Sequence, residues 1–190
     1  MDVIEAIYRR RAVRAYDPRV VEEGTIRDLL RAAVHAPTAH NLQPWLFAIV
    51  QNRAQLARYS DRAKRILLEV TSDDPKTQHY LPMLRDPSFN IFYDAGTLIV
   101  IGAPPGPFTT ADCWLAAEAL MLAAHAAGLG TCPIGFALSV LNQDDVKSEL
   151  GLPPAASAVA PIIVGYPTST APEIPRAEPR IVSWSTDGQR

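Results

Sequence analysis

Four arginines, Arg9, Arg10, Arg11 and Arg14, fall within six residues of the stretch YRRRAVRAY, in a chain whose formal net charge is −2. Guanidinium forks match the oxygens of a phosphate, so a cluster of this kind can form an anion site. It can equally be a solvated helix end, where cations sit well against the C-terminal dipole. A second stretch, APTAHNLQPW from Ala36 to Trp45, sets Thr38, His40, Asn41 and Gln43 between a helical pattern and the next apolar run. Turn chemistry accounts for the proline, threonine and asparagine. The same side chains also place donors and acceptors close together, which the edge of a planar heterocycle requires. In the third stretch, GLGTCPIGF over 128–136, the glycine spacing departs from a dinucleotide fingerprint and follows a helix pattern instead of a strand. It reads as a helix cap and a loop, in which Gly135 would let the backbone approach a flat ligand closely.

Other chemistries find no support. The chain has no G-x-S-x-G elbow, no phosphate-binding G-x-x-x-x-G-K-[ST] and no H-E-x-x-H. His35 and His40 stand on either side of Pro37 and share no helix face; His125 reads as a satisfied core histidine and Asp144–Asp145 as solvated surface. Cys113 and Cys132 are the only cysteines; they make no disulfide framework and lack metal-ligand spacing, so no metal is expected. Near-neutral charge argues against a nucleic-acid partner. The N-terminal MDVIEAIYRRR has no continuous apolar core, and the apolar stretch Leu115–Gly130 is broken by Glu118 and His125. Neither a signal peptide nor a membrane span is expected, and the default location is cytoplasmic.

The elements that must position these residues follow from periodicity. A length of 190 residues suits a single domain spanning the whole chain. Helices are expected over 2–10, 23–36, 53–70, 110–130 and 139–153, the fourth buried because it is apolar almost all round. Strands are expected over 45–51, 97–103 and 157–167, with a possible fourth around 90–95. Residues 71–90 read as an irregular binding loop, to which Tyr80, Phe89, Phe92 and Tyr93 bring aromatic surface, Phe92 as core more than Tyr80. Of 17 prolines, seven lie between Pro153 and Pro179, which predicts an extended arm from about 167 that lies on something else. The pattern fits an α+β or α/β class.

Taken together, RRAVRAY, APTAHNLQPW and AAHAAGLGTCPIGF resemble, in order and spacing, three motifs of the nitroreductase family of FMN-dependent oxidoreductases. The resemblance runs from about Ile4 to Pro167. It implies an α+β fold with an antiparallel central sheet flanked by helices, in an intertwined homodimer with FMN at the interface. It implies that Arg10 and Arg11 hold the phosphate and Arg14 reaches the pyrimidine edge. Pro37, Thr38 and Asn41 would contact the flavin from the partner chain, Gly135 would lie near N5, and Arg176 would complete the phosphate site, with Arg180 as the fallback. His40, Tyr80 and Phe89 fall on the substrate side. Ala12 stands where the family usually has serine, and Glu118-Ala119-Leu120 lacks the family's asparagine.

The activity so implied is hydride transfer from NADH or NADPH to nitroaromatic, quinone or related acceptors by a ping-pong mechanism, with no protein acid nominated. The alternatives are a specialised relative (flavin fragmentation, dehalogenation or azoline oxidation) and a non-catalytic polyanion binder using Arg9–Arg14.

Overall fold

The computed structural model describes residues 1–71 and 78–186. Its sheet has four strands, β1 (Leu46–Val50), β2 (Thr97–Ala103), β3 (Gly130–Pro133) and β4 (Ser157–Gly165), in the order β1-β2-β4-β3 with every pair antiparallel. Among the described residues seven α-helices surround it: α1 (Val3–Arg9), α2 (Glu23–Ala33), α3 (Arg53–Thr71), α4 (Leu81–Arg85), α5 (Thr109–Ala126), α6 (Leu138–Leu141) and α7 (Asp144–Glu149). The class is α+β. No helix among the described residues is long and apolar enough to cross a membrane.

Strand β2 is buried on both faces, which its unbroken run TLIVIGA requires. Leu98 and Val100 pack with Leu56, Tyr59 and Ala63 of α3 and Val140 and Leu141 of α6. Ile99 and Ile101 pack on the other face with Leu29 of α2 and Ala116, Leu120 and Ala124 of α5. Register slips between Ile101 and Gly102, where β4 carries one extra residue, a bulge that returns later side chains to the correct face.

Several expectations change. Residues 90–95 form a turn, and the fourth strand is β3 at 130–133, inside the stretch read as cap and loop. Gly128, with φ +78°, closes α5: its N–H donates to the His125 carbonyl at 3.0 Å and that of Leu129 to Ala124 at 2.8 Å. Gly130 then starts β3, and only a residue without Cβ fits, because a Cβ there would lie 2.8 Å from Val13. The single helix expected over 139–153 is two, since Asn142 leaves the helix to exchange two hydrogen bonds with the Ala158 backbone at 2.9 and 3.1 Å. The loop expected over 71–90 contains a 3-10 turn at Gln78–Tyr80 and α4; residues 72–77 of it lie outside the described residues. His125 is not satisfied: its buried Nε2 has no partner among the described residues. Asp145 is not merely solvated, since it accepts from Arg62 at 3.0 Å.

Two features place the candidate residues. The segment after α1 runs beside the edge strand, with Ala12 bridged parallel to Thr131, Val13 N–H donating to the Thr131 carbonyl at 3.0 Å and Tyr16 bridged to Pro167. It covers an edge that would otherwise expose unpaired backbone. Beyond Thr168, whose N–H donates to the Ala15 carbonyl, the chain has no regular structure through 186 and is exposed almost throughout.

Candidate active site

The arginine segment is extended, so alternate side chains diverge. Arg11 and Val13 line a cleft of about 690 Å³ with His125 and Leu129. There the Arg11 guanidinium donates to the carbonyls of Tyr8 and Arg10, with Glu173 at 3.7 Å. Burial, then the guanidiniums of Arg10 and Arg11, push the His125 pKa down. Arg10 meets Glu118 of α5 at 3.5 Å, and Arg9 meets Glu5 at 3.1 Å. The cluster is therefore largely paired within the chain, which weakens its reading as a surface for polyanions. Arg14 is exposed and carries no ion pair among the described residues.

Arg14 stands at the centre of a different group. The parallel bridge of Ala12 to Thr131 brings it level with Pro133, two residues before Gly135. Its guanidinium lies 5.8 Å from the centre of the Tyr93 ring. Burial pushes the Cys132 thiol's pKa up and the arginines oppose it; Cys132 is a buried core residue. A 3-10 turn from Gly135 to Ala137 follows. A Cβ built on Gly135 would meet nothing within 4 Å, so nothing described in this chain demands glycine there. Phe136, next along, meets the edge of the Tyr80 ring at 5.1 Å, and Tyr80 is half-exposed. Phe89 sits edge-on to Tyr93 at 5.6 Å, and Phe92 is fully buried. An exposed cation, an open glycine turn and an aromatic wall thus share one edge of the sheet.

The stretch APTAHNLQPW forms a second group at the N-terminus of α5. His40, Asn41 and Gln43 have φ of +52°, +54° and +46°, left-handed backbone that is uncommon for residues with a Cβ and clusters at functional sites. Thr38 Oγ1 accepts the Gln43 N–H at 3.3 Å, and Gln43 Nε2 donates to Asn41 Oδ1 at 3.0 Å. Pro37 is exposed, and the His40 ring lies 6.5 Å from Phe108. The anchor is Asp112, a buried carboxylate in the first turn of α5. Its Oδ1 accepts the Ala39 N–H at 3.1 Å, and its carbonyl accepts the Trp45 indole N–H at 3.0 Å. No local pattern signals this role, because an acid at a helix start has an ordinary explanation in the dipole.

The two groups do not meet in one chain: the loop contacts α5 and Phe108, whereas Arg14 contacts β3 and Tyr93. Arg176 and Arg180 lie exposed on the arm.

Comparisons with known proteins give the family. The chain is 25% identical to a nitroreductase of Bacteroides fragilis solved with bound FMN, with a TM-score of 0.83 over 98% of this chain and 100% of that one. It is 28% identical to the FMN-dependent nitroreductase NfnB of Mycobacterium smegmatis solved with NADPH, with a TM-score of 0.70 over 92% and 93% of the two chains. It is 31% identical to 5,6-dimethylbenzimidazole synthase of Rhodospirillum rubrum over 93% of this chain and 87% of that one. The model of the nitroreductase family matches residues 7–166, and the chain belongs to the nitroreductase family.

Proposed function

We propose that this oxidoreductase binds FMN and moves hydride from NADH or NADPH to a small nitroaromatic, quinone or related acceptor. The observation that carries the reading is the Gly135 turn: it is open where a Cβ would go, and it stands beside the exposed Arg14. A flat cofactor with a polar edge fits that arrangement. A relative solved with bound FMN and an FMN-dependent relative solved with NADPH support the same choice.

The second group completes the site from a partner copy. Large apolar side chains stay exposed along α1 and the arm, among them Tyr8 (73%), Val182 (87%) and Trp184 (75%). A patch of this kind normally marks an interface. A homodimer in which α1, α5 and the arm are covered brings the Thr38–Asn41 loop of one copy to the Arg14–Gly135 edge of the other. Arg176 or Arg180 reaches the phosphate by the same crossing.

When bound, FMN supplies the redox chemistry, accepting hydride from the nicotinamide and giving it to the acceptor. The chain's residues hold and tune it. Arg10 neutralises phosphate by trading its contact with Glu118, and Arg11 supports the strand from the cleft on its other side. Arg14 sets a positive charge at the pyrimidine edge, which favours the more negative reduced form. Thr38 and Asn41 read the polar edge, and His40, Tyr80 and Phe89 shape the acceptor side. One pocket shared in turn by nicotinamide and acceptor predicts ping-pong kinetics.

The test is to mix the FMN-loaded protein anaerobically with NADPH or NADH, then with a nitroaromatic or quinone, following flavin absorbance. Both half-reactions at least as fast as turnover support the reading. Reduction slower than turnover with both nucleotides counts against it and favours a specialised reaction, the direction in which the dimethylbenzimidazole synthase points.

A further inference from the structure

The turn that replaced the expected strand at 90–95 holds Tyr93 and Asp94 at φ +52° and +55°. Left-handed backbone is costly for residues with a Cβ and persists only where the surroundings enforce it. Here they do. The Asn90 carbonyl accepts the Tyr93 N–H at 2.8 Å, Asn90 Oδ1 accepts the Phe92 N–H at 2.9 Å, and Asn90 Nδ2 donates to Asp94 Oδ1 at 3.0 Å. From α3, Ser60 Oγ accepts the Ile91 N–H at 3.0 Å, and the buried Lys64 ammonium donates to the Phe89 carbonyl at 2.8 Å. Ile91 and Phe92, both fully buried, pin the turn to the core.

All of this fixes the Tyr93 ring, which packs half-buried against the core with the Arg14 guanidinium over it. It is braced on its flank by Phe89 and lies 5.8 Å from the Arg14 guanidinium. Arg14 is otherwise exposed, and a long side chain in solvent spreads its charge over many rotamers. A guanidinium stacked on an aromatic face keeps one position. We propose that Tyr93 is a positioning residue for Arg14: the strained turn presents a ring that holds the guanidinium at the cofactor edge, and so sets how strongly the site prefers reduced over oxidised FMN. The inference rests on the FMN reading above.

The experiment measures the midpoint potential of bound FMN by dye equilibration, with apoprotein melting as a control. Tyr93→Phe keeps the ring face and should match the wild type. Tyr93→Leu keeps apolar bulk without the face and should lower the preference for reduced FMN about threefold, the size of a partly exposed cation–ring contact. For a two-electron couple that is about 14 mV. In an Arg14→Ala background the same leucine should shift nothing, because the contact is already gone. Arg14→Lys probes the contact from the solvent side, where folding is not at stake: it keeps the charge on a more flexible stem, and Tyr93→Leu should shift its potential less than it shifts the wild type's. A wild-type potential in Tyr93→Leu, or a shift that persists without Arg14, overturns the inference while leaving the cofactor assignment standing. A wild-type protein that takes up no FMN overturns both.

Discussion

Gly135→Ala separates a glycine kept for a ligand from one kept for the fold. Gly135 is not among the glycines with positive φ, and a Cβ there meets nothing within 4 Å. Alanine should therefore stabilise the apoprotein, by about 0.4–1 kcal/mol through the less flexible unfolded chain. For a chain of this size that raises the melting temperature by about 1–4 °C. If FMN lies against this turn, the added methyl must displace it. An overpacked contact costs about 1–3 kcal/mol, which weakens FMN binding about 5- to 150-fold. Gly130→Ala is the control, because its Cβ would lie 2.8 Å from the Val13 side chain and should lower the melting temperature instead. The assays are thermal melting of the apoprotein and quenching of FMN fluorescence on titration. An alanine variant that binds FMN as the wild type does would refute the reasoning, as would one that melts early like Gly130→Ala.

Other perturbations should separate the remaining roles. Arg10→Ala should lose FMN, whereas Arg14→Ala should keep part of it but reduce it less readily; equal retention and reduction in both, read from absorbance before and after dithionite titration, would remove the distinction. Asp112→Ala leaves the Ala39 N–H without its acceptor, at a cost of about 1–3 kcal/mol, and should release the loop and weaken FMN. Asp112→Asn, which keeps an oxygen in place, should recover most of both losses in melting and binding titrations. Contact with Arg62 holds Asp145 below the usual carboxylate range, and Arg58 does the same for Glu149. Depressed carboxylate pKa values add stability that is full above the unfolded value near 4 and is lost as pH falls through the lower folded values. Melting temperature should therefore drop below about pH 4, and a double Arg58→Ala, Arg62→Ala variant should show a flatter acid limb.

What could be read from the sequence was what local pattern encodes. Strand β2 coincides with the run TLIVIGA, and Gly128 ends α5 as a left-handed cap must. Strand β3 escaped because four residues bounded by glycine and proline have no period to detect; its existence depends on β4 and on the Ala12–Val13 segment, more than a hundred residues earlier. The break at Asn142 was equally hidden, its partner Ala158 lying beyond the helix. In the site, the motif residues were visible by type and spacing, but their partners were not. Nothing local announces that Glu118 meets Arg10, that Asp112 holds Ala39, or that Tyr93 in a left-handed turn faces Arg14. Arg11 shows the limit from the other side: adjacent to Arg10 in sequence, it lines a separate cleft because an extended segment sends neighbours to opposite faces.

The most direct test of the central claim is the visible absorption spectrum of the purified protein with FMN added back and free flavin removed. The prediction is a retained flavin spectrum that bleaches anaerobically with NADPH or NADH. A protein that retains no flavin after FMN is supplied would contradict the account.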